Sequence, residues 1–146
     1  MAAPSATPGP SAQRTLVLLK PDTVRRGLVG AVVQRFEDRG LRIVRMELRT
    51  IDGSMADRHY AEHVERDFYP PLREFVTSGP LVALVLEGDS AIEVVRGING
   101  ATDGRKAAPG TIRGDYSLSN RENLVHGSDS PESAEREIGI WFPDLG

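Results

Sequence analysis

Thr15-Leu16-Val17-Leu18-Leu19 (TLVLL) is the stretch whose reading decides the fold. A strand with one wet face alternates apolar and polar residues, and this run does not alternate. It predicts a short strand buried on both faces. Lys20-Pro21-Asp22 ends it. A second run of the same kind, Leu81 to Leu86 (LVALVL), follows the turn Gly79-Pro80. Two such strands belong at the centre of one sheet that is covered on both sides.

Outward from this pair, the chain alternates helix and strand. Leu28, Val29, Val32, Val33 and Phe36 recur at helical spacing, and Gly40 supplies a stop. Leu41 to Ile51 alternates as an edge strand, Met46 and Leu48 against Arg45, Glu47 and Arg49. Ile43-Val44 breaks the phase and predicts a bulge. Asp57 to His63 and Phe68 to Val76 read as short helices, with Pro70-Pro71 as an interruption. Ser90 reads as the N-cap of a helix to about Arg96. Residues 97 to 123 read as irregular, and Asn123 to His126 as a short strand. Ser130-Pro131 supplies the N-cap and first residue of a last helix, with Ala134, Ile138 and Trp141 on one stripe. This order predicts an α/β (α+β) sandwich. Its core is a ferredoxin-like β-α-β-β-α-β arrangement with a four-stranded antiparallel sheet, extra helices and a C-terminal helix.

The chain has 146 residues, one domain's length. Residues 1–13 are small, uncharged and rich in Pro, Ala and Ser, and read as a disordered tail. Residues 14–146 form the domain. No run approaches the ~18 apolar residues of a membrane span, so no membrane partner is expected. There is no cysteine, which excludes disulfides, thiolate metal sites and a thiol nucleophile. That composition suits the cytoplasm. The net charge of −3 argues against stable nucleic-acid binding.

His126 stands at a strand end, before Gly127 and a capped helix. Position alone leaves it either a reactive group or a turn histidine. Glu137 falls at the edge of the Ala134–Ile138–Trp141 stripe. It either accepts the N–H of an imidazole, leaving the other ring nitrogen as a nucleophile, or lies in water as a flanking carboxylate. Arg96, Arg105, Lys106 and Arg113 fall in the glycine-rich stretch, and Lys20 at the end of the first central strand. Guanidinium groups there could hold phosphate oxygens bidentately. No P-loop or dinucleotide fingerprint is present, so a phosphate would be held by side chains. His59 and His63 have helical metal-ligand spacing but no evident third ligand, and read as surface histidines. Tyr60, Phe68, Tyr69 and Leu72 read as packing residues.

Several of these motifs, in order, resemble the nucleoside diphosphate kinases over residues 14 to 142. They are TLVLLKPD (Thr15 to Asp22), Arg26 to Gly30, Ser78-Gly79-Pro80, PGTIRGD (Pro109 to Asp115), NLVHGSDS (Asn123 to Ser130), Ser133 to Ile138, and Trp141-Phe142. The resemblance implies a kinase that moves the γ-phosphate of a nucleoside triphosphate, mainly ATP, to a nucleoside diphosphate. The route is ping-pong, through a phosphohistidine, and maintains NTP and dNTP pools. His126 matches the nucleophile, Glu137 its orienting carboxylate, and Ser128 a hydrogen-bonding helper. Lys20, Tyr60, Arg96, Thr102, Arg113 and Asn123 match residues holding phosphates or ribose, with Lys20 and Tyr60 also counted as catalytic. Arg66 matches a residue near the terminal phosphates. Phe68 matches the aromatic under the base, with Leu72 beneath it. Mg²⁺ is implied as a cofactor held mainly by the nucleotide phosphates, without a protein metal site. A homo-oligomer is implied, a hexamer before a tetramer. A non-catalytic binding protein of the same fold would be expected to lack some of these residues. An RNA-binding ferredoxin-like domain would be expected to show aromatics on its central strands, and these have none.

Overall fold

The computed structural model describes residues 12–145. The expected tail falls outside the described residues except for Ala12 and Gln13, which open the first strand. The elements run β1 (Ala12–Leu19), α1 (Pro21–Arg25), α2 (Val29–Asp38), β2 (Arg42–Arg49), α3 (Gly53–His59) and α4 (Tyr69–Val76). They continue β3 (Leu81–Asp89), α5 (Ala91–Asn99), α6 (Ile112–Tyr116), β4 (Val125–Gly127) and α7 (Pro131–Trp141), with a 3₁₀ turn at Pro143–Leu145. The sheet order is β2-β3-β1-β4, and every neighbouring pair is antiparallel. The two doubly apolar strands are the central pair, in the ferredoxin-like order.

Their side chains divide between two cores. Leu16, Leu18, Leu81, Ala83 and Val85 pack on one face with Tyr60, Phe75, Ile138, Trp141 and Phe142. Val17, Leu19, Val82, Leu84 and Leu86 pack on the other with Val32, Phe36, Val95, Ile112 and Leu124. Each fully buried Leu or Val stabilises the fold by about 1.5–3 kcal/mol relative to exposure.

Several boundaries differ from the sequence reading for local reasons. Pro70 and Pro71 do not interrupt a helix; they lie in the first turn of α4, where a missing N–H costs nothing. α3 starts at Gly53 because Asp52 caps it, accepting from Met55 N at 2.9 Å. Ser90 adopts φ 51° and makes no side-chain cap. The Gln13 side chain on β1 accepts from Ile92 N at 2.9 Å instead. At the end of α2, Gly40 has φ +83°. Gly40 N donates to Glu37 O and Leu41 N to Phe36 O, the pair of bonds that closes a helix on a left-handed glycine.

The bulge in β2 is present between Ile43 and Arg45, but its consequence reverses the expected faces. Met46 and Leu48 are exposed. Arg45 and Arg49 instead stack over Phe142 and Trp141, at 5.4 and 5.0 Å from the ring centroids. The aromatic C-terminal corner covers the arginine side of this edge strand.

Candidate active site

β4 is only three residues long, yet it sets the centre of the site. It pairs with β1, Leu18 opposite His126 and Val17 opposite Gly127. Gly127 serves close approach here. A Cβ at this position would stand 2.9 Å from Val95 Cγ1 and 3.1 Å from Asn99 Nδ2, so only glycine lets β4 lie against α5. α7 follows, with Ser130 Oγ accepting from Ser133 N at 3.1 Å.

That helix carries Glu137 inward. The carboxylate is 5 % exposed, which excludes the flanking-carboxylate reading. Oε1 lies 2.9 Å from His126 Nε2 and accepts from Ser128 Oγ at 2.8 Å. Ser128 Oγ in turn accepts from Leu16 N at 3.1 Å, which anchors the chain of bonds in β1. A carboxylate only accepts, so neutral His126 carries its hydrogen on Nε2. The lone pair is left on Nδ1, which has no hydrogen-bond partner among the described residues.

His126 lines a cavity of about 750 Å³ together with Lys20, Tyr60, Phe68, Leu72, Arg96, Thr102, Arg113, Asn123 and Glu137. The sequence-expected residues thus converge, with three qualifications. Ser128 lies behind Glu137, bonded to its carboxylate. Arg66 is exposed and does not line the cavity; it stands two residues before Phe68 at the rim. Arg105 and Lys106 do not line it either, and Arg105 pairs with Asp103 at 2.8 Å.

The cations of the cavity are closely held. Lys20 is 7 % exposed, not a solvated flanking lysine, and its Nζ donates to Asn123 Oδ1 at 2.9 Å. Burial pushes the Lys20 ammonium down to about 8, with Arg113 adding to the effect and Asp22 opposing it. Arg113 donates to the carbonyls of Asn123, Gly100 and Val125. Burial, then the Arg96 charge, lowers it to about 10. Positive groups that repel one another in a half-buried cleft favour a polyanion between them. Tyr60 is buried in the wall with its hydroxyl unpartnered, and burial pushes its phenol well above the usual range. It stays protonated and can donate. Phe68 stands at the rim, 52 % exposed.

His59 is the residue that the sequence reading misplaced. It is 3 % exposed, and its ring packs edge-on to His126 with centroids 4.6 Å apart. Trp141 Nε1 donates to His59 Nδ1 at 3.0 Å. No spacing rule links positions 59, 126 and 141. Burial, then the nearby His126, Arg136 and Lys20, hold its pKa well below the usual value. His59, His126 and Glu137 have ligand atoms within 4.8 Å of one another, a composition that could suit a metal ion. The indole argues against that use. It occupies Nδ1, and a metal on Nε2 would drive the ring hydrogen to Nδ1, against the indole N–H.

The sequence model for nucleoside diphosphate kinase matches residues 13–145. The chain belongs to the nucleoside diphosphate kinase family. The kinase of Nocardioides sp. strain JS614 is 79% identical over 132 residues, covering 90% of this chain and 98% of that protein. That of Cutibacterium acnes is 62% identical, covering 91% and 96%. A halophilic nucleoside diphosphate kinase from Halobacterium salinarum, solved in complex with CDP, superimposes with a TM-score of 0.88 at 48% identity, covering 91% of this chain and 89% of that one. The chain is therefore a phosphotransferase, and its family's reaction carries phosphate from a nucleoside triphosphate to a nucleoside diphosphate.

Proposed function

We propose that the kinase works by a ping-pong route in which His126 Nδ1 carries the phosphoryl group, with ATP as the main donor, and so maintains the NTP and dNTP pools. The Glu137–His126 bond is the observation that carries the reading, because it leaves Nδ1 as the free nucleophilic nitrogen. In the first half-reaction the Nδ1 lone pair forms a bond to the γ-phosphorus. The bond from that phosphorus to the bridging oxygen breaks, and the diphosphate leaves with the electron pair. No proton has to be removed from Nδ1. The charge that develops on the ring is met by Glu137 through Nε2–H. Lys20, Arg113 and Arg96, with the Tyr60 hydroxyl, surround the phosphate oxygens. In the second half-reaction a terminal oxygen of the acceptor diphosphate takes the phosphorus and the N–P bond breaks. Asn123 and Thr102 would position the sugar and phosphates, Arg66 would reach the terminal phosphates from the rim, and Phe68 over Leu72 would carry the base.

Mg²⁺ is the proposed cofactor. The carboxylates lining the cavity are Glu62, Asp129 and Glu137, and Glu137 is already engaged by His126 and Ser128. That set does not make an oxygen cage, which fits an ion held mainly by the nucleotide's phosphates. The metal would neutralise phosphate charge.

Incubation with γ-labelled ATP and Mg²⁺ should yield a labelled protein whose bond is acid-labile and base-stable. Chase with different diphosphates should discharge it. Label that resists acid would defeat the phosphohistidine route. Lys20 gives a pH prediction. Its ammonium attracts phosphate only while protonated, so kcat/KM should fall as pH rises through about 8. Lys20→Gln should be weaker throughout and lack that limb; persistence of the limb would assign it elsewhere. Phe68→Ala should raise KM for purine and pyrimidine diphosphates alike, by about 1–3 kcal/mol of lost stacking. A loss confined to purines contradicts base-tolerant stacking.

The proposed assembly is a homo-oligomer, a hexamer before a tetramer. What supports association is β2, which pairs with β3 alone among the described residues and exposes Leu48 at 67 %. Open edges of this kind are usually covered. Light scattering distinguishes the states. No described helix is long and apolar enough to cross a membrane. The proposed compartment is the cytoplasm, in keeping with nucleotide substrates.

A further inference from the structure

Leu124 lies between two residues of the proposed site, and its backbone is strained. Its φ is +73°, a region that a bulky side chain enters at a cost of about 1–3 kcal/mol. Val125 N donates to Asn123 O at 2.8 Å. Leu124 is thus the centre of a three-residue γ-turn of the rare positive-φ kind. The side chain is fully buried in the core beside α5 and α6, so the position needs both an apolar residue and a backbone that suits glycine better.

Strain of this kind persists only where the surroundings fix it. Both polar backbone groups of Leu124 go to one distant segment, Lys20 and the first turn of α1. Leu124 N donates to Asp22 Oδ2 at 3.1 Å. Leu124 O accepts from Lys20 N at 2.8 Å and from Thr23 Oγ1 at 2.6 Å. Asp22 and Thr23 are buried, and the second carboxyl oxygen of Asp22 has no partner among the described residues. Burying a carboxyl is costly, and burial pushes its pKa up while Lys20 and backbone N–H groups, that of Leu124 among them, oppose the shift. Asp22 does not line the cavity. Its charge acts on Lys20, and its hydrogen bond reaches the site through Leu124. Immediately before Leu124 is Asn123, whose amide meets Lys20 Nζ and Thr102 O. Two residues after it is His126.

We propose that Asp22 and Thr23 are positioning residues for phosphoryl transfer: they clamp Leu124 in its left-handed turn, and that turn aims Asn123 and registers His126 in the cavity. The inference rests on the proposed roles of Asn123 and His126.

The test is the single-turnover rate of His126 phosphorylation by ATP, per folded molecule, well below each variant's melting temperature. Asp22→Ala should slow it by at least about tenfold and raise KM, as expected when a reacting group is displaced by a fraction of an ångström. Asp22→Asn keeps an oxygen that accepts the Leu124 N–H and should restore the rate to within about threefold. Thr23→Val removes one donor at constant volume and should slow the rate by at least about threefold, so it decides the matter even if Asp22→Ala does not fold. A purely structural role would reduce folded protein but leave the rate per folded molecule unchanged. That result, or an Asp22→Asn variant as slow as Asp22→Ala, overturns the proposal. A wild-type protein that forms no phosphohistidine overturns the functional reading itself. A labelled wild type with unaffected variants overturns the positioning role alone.

Discussion

His126→Ala should abolish the acid-labile label and lower transfer between nucleotides by on the order of 10⁴ to 10⁶-fold, the scale on which loss of a covalent nucleophile falls. The size of the effect follows from the route. In the proposed route donor and acceptor occupy one cavity in turn, so the phosphoryl group has to be stored on the protein between them. Among the cavity's side chains, His126 combines a partly accessible ring nitrogen, free of hydrogen bonds among the described residues, with a partner at the other nitrogen that orients the ring. Lys20 is protonated below about 8 and serves as a cation. His59 cannot take over, because Trp141 holds its Nδ1. The substitution removes a side chain that is only 20% exposed and takes one donor from the buried Glu137 carboxylate, so the melting temperature should fall while the fold survives. Nucleotide binding should survive as well, since the cations and Phe68 remain. Radiolabel transfer and thermal melting check both halves. A variant that still takes up acid-labile label places the phosphoryl group on another residue.

Much of this arrangement could be read from the sequence, for definable reasons. The central strands were legible because burial on both faces leaves an unbroken apolar run, as in Leu81 to Leu86. α7 was legible because its cap and stripe are local. The rest depends on contacts distant in sequence. The cap of α5 comes from Gln13, not Ser90. α1 is five residues long and has no periodicity to detect. Met46 and Leu48 mark a face of β2, but only the packing of Arg45 and Arg49 on the C-terminal aromatics shows that this face is exposed. At the site, the resemblance named His126 and Glu137, while the choice of Nδ1 as the free nitrogen required the 2.9 Å contact at Nε2. His59 and Asp22 gave no local signal. One is placed by an indole 82 positions away, and the other by a backbone amide 102 positions away.

Glu137 should separate catalysis from stability. Its carboxylate accepts from His126 Nε2 and Ser128 Oγ while 5 % exposed. A buried charge opposes folding unless well paired, so the uncharged isostere Glu137→Gln should melt at or above the wild-type temperature. The reaction needs what the amide lacks. As the N–P bond forms, positive charge grows on the imidazole, and a full negative charge at Nε2–H is worth more there than a neutral carbonyl. The difference between a charge-assisted and a neutral hydrogen bond is about 1–2 kcal/mol, which predicts a phosphorylation rate lower by about 10-fold or somewhat more. Glu137→Ala goes further. It leaves Ser128 Oγ without its acceptor and frees the ring to rotate, and the rate should fall by about 10² to 10³-fold, with a lower melting temperature. Rapid-quench phosphorylation and calorimetry measure the two effects independently. If Glu137→Gln reacts at the wild-type rate, the carboxylate only holds the ring in place, and stabilisation of the developing charge has to come from elsewhere in the cavity.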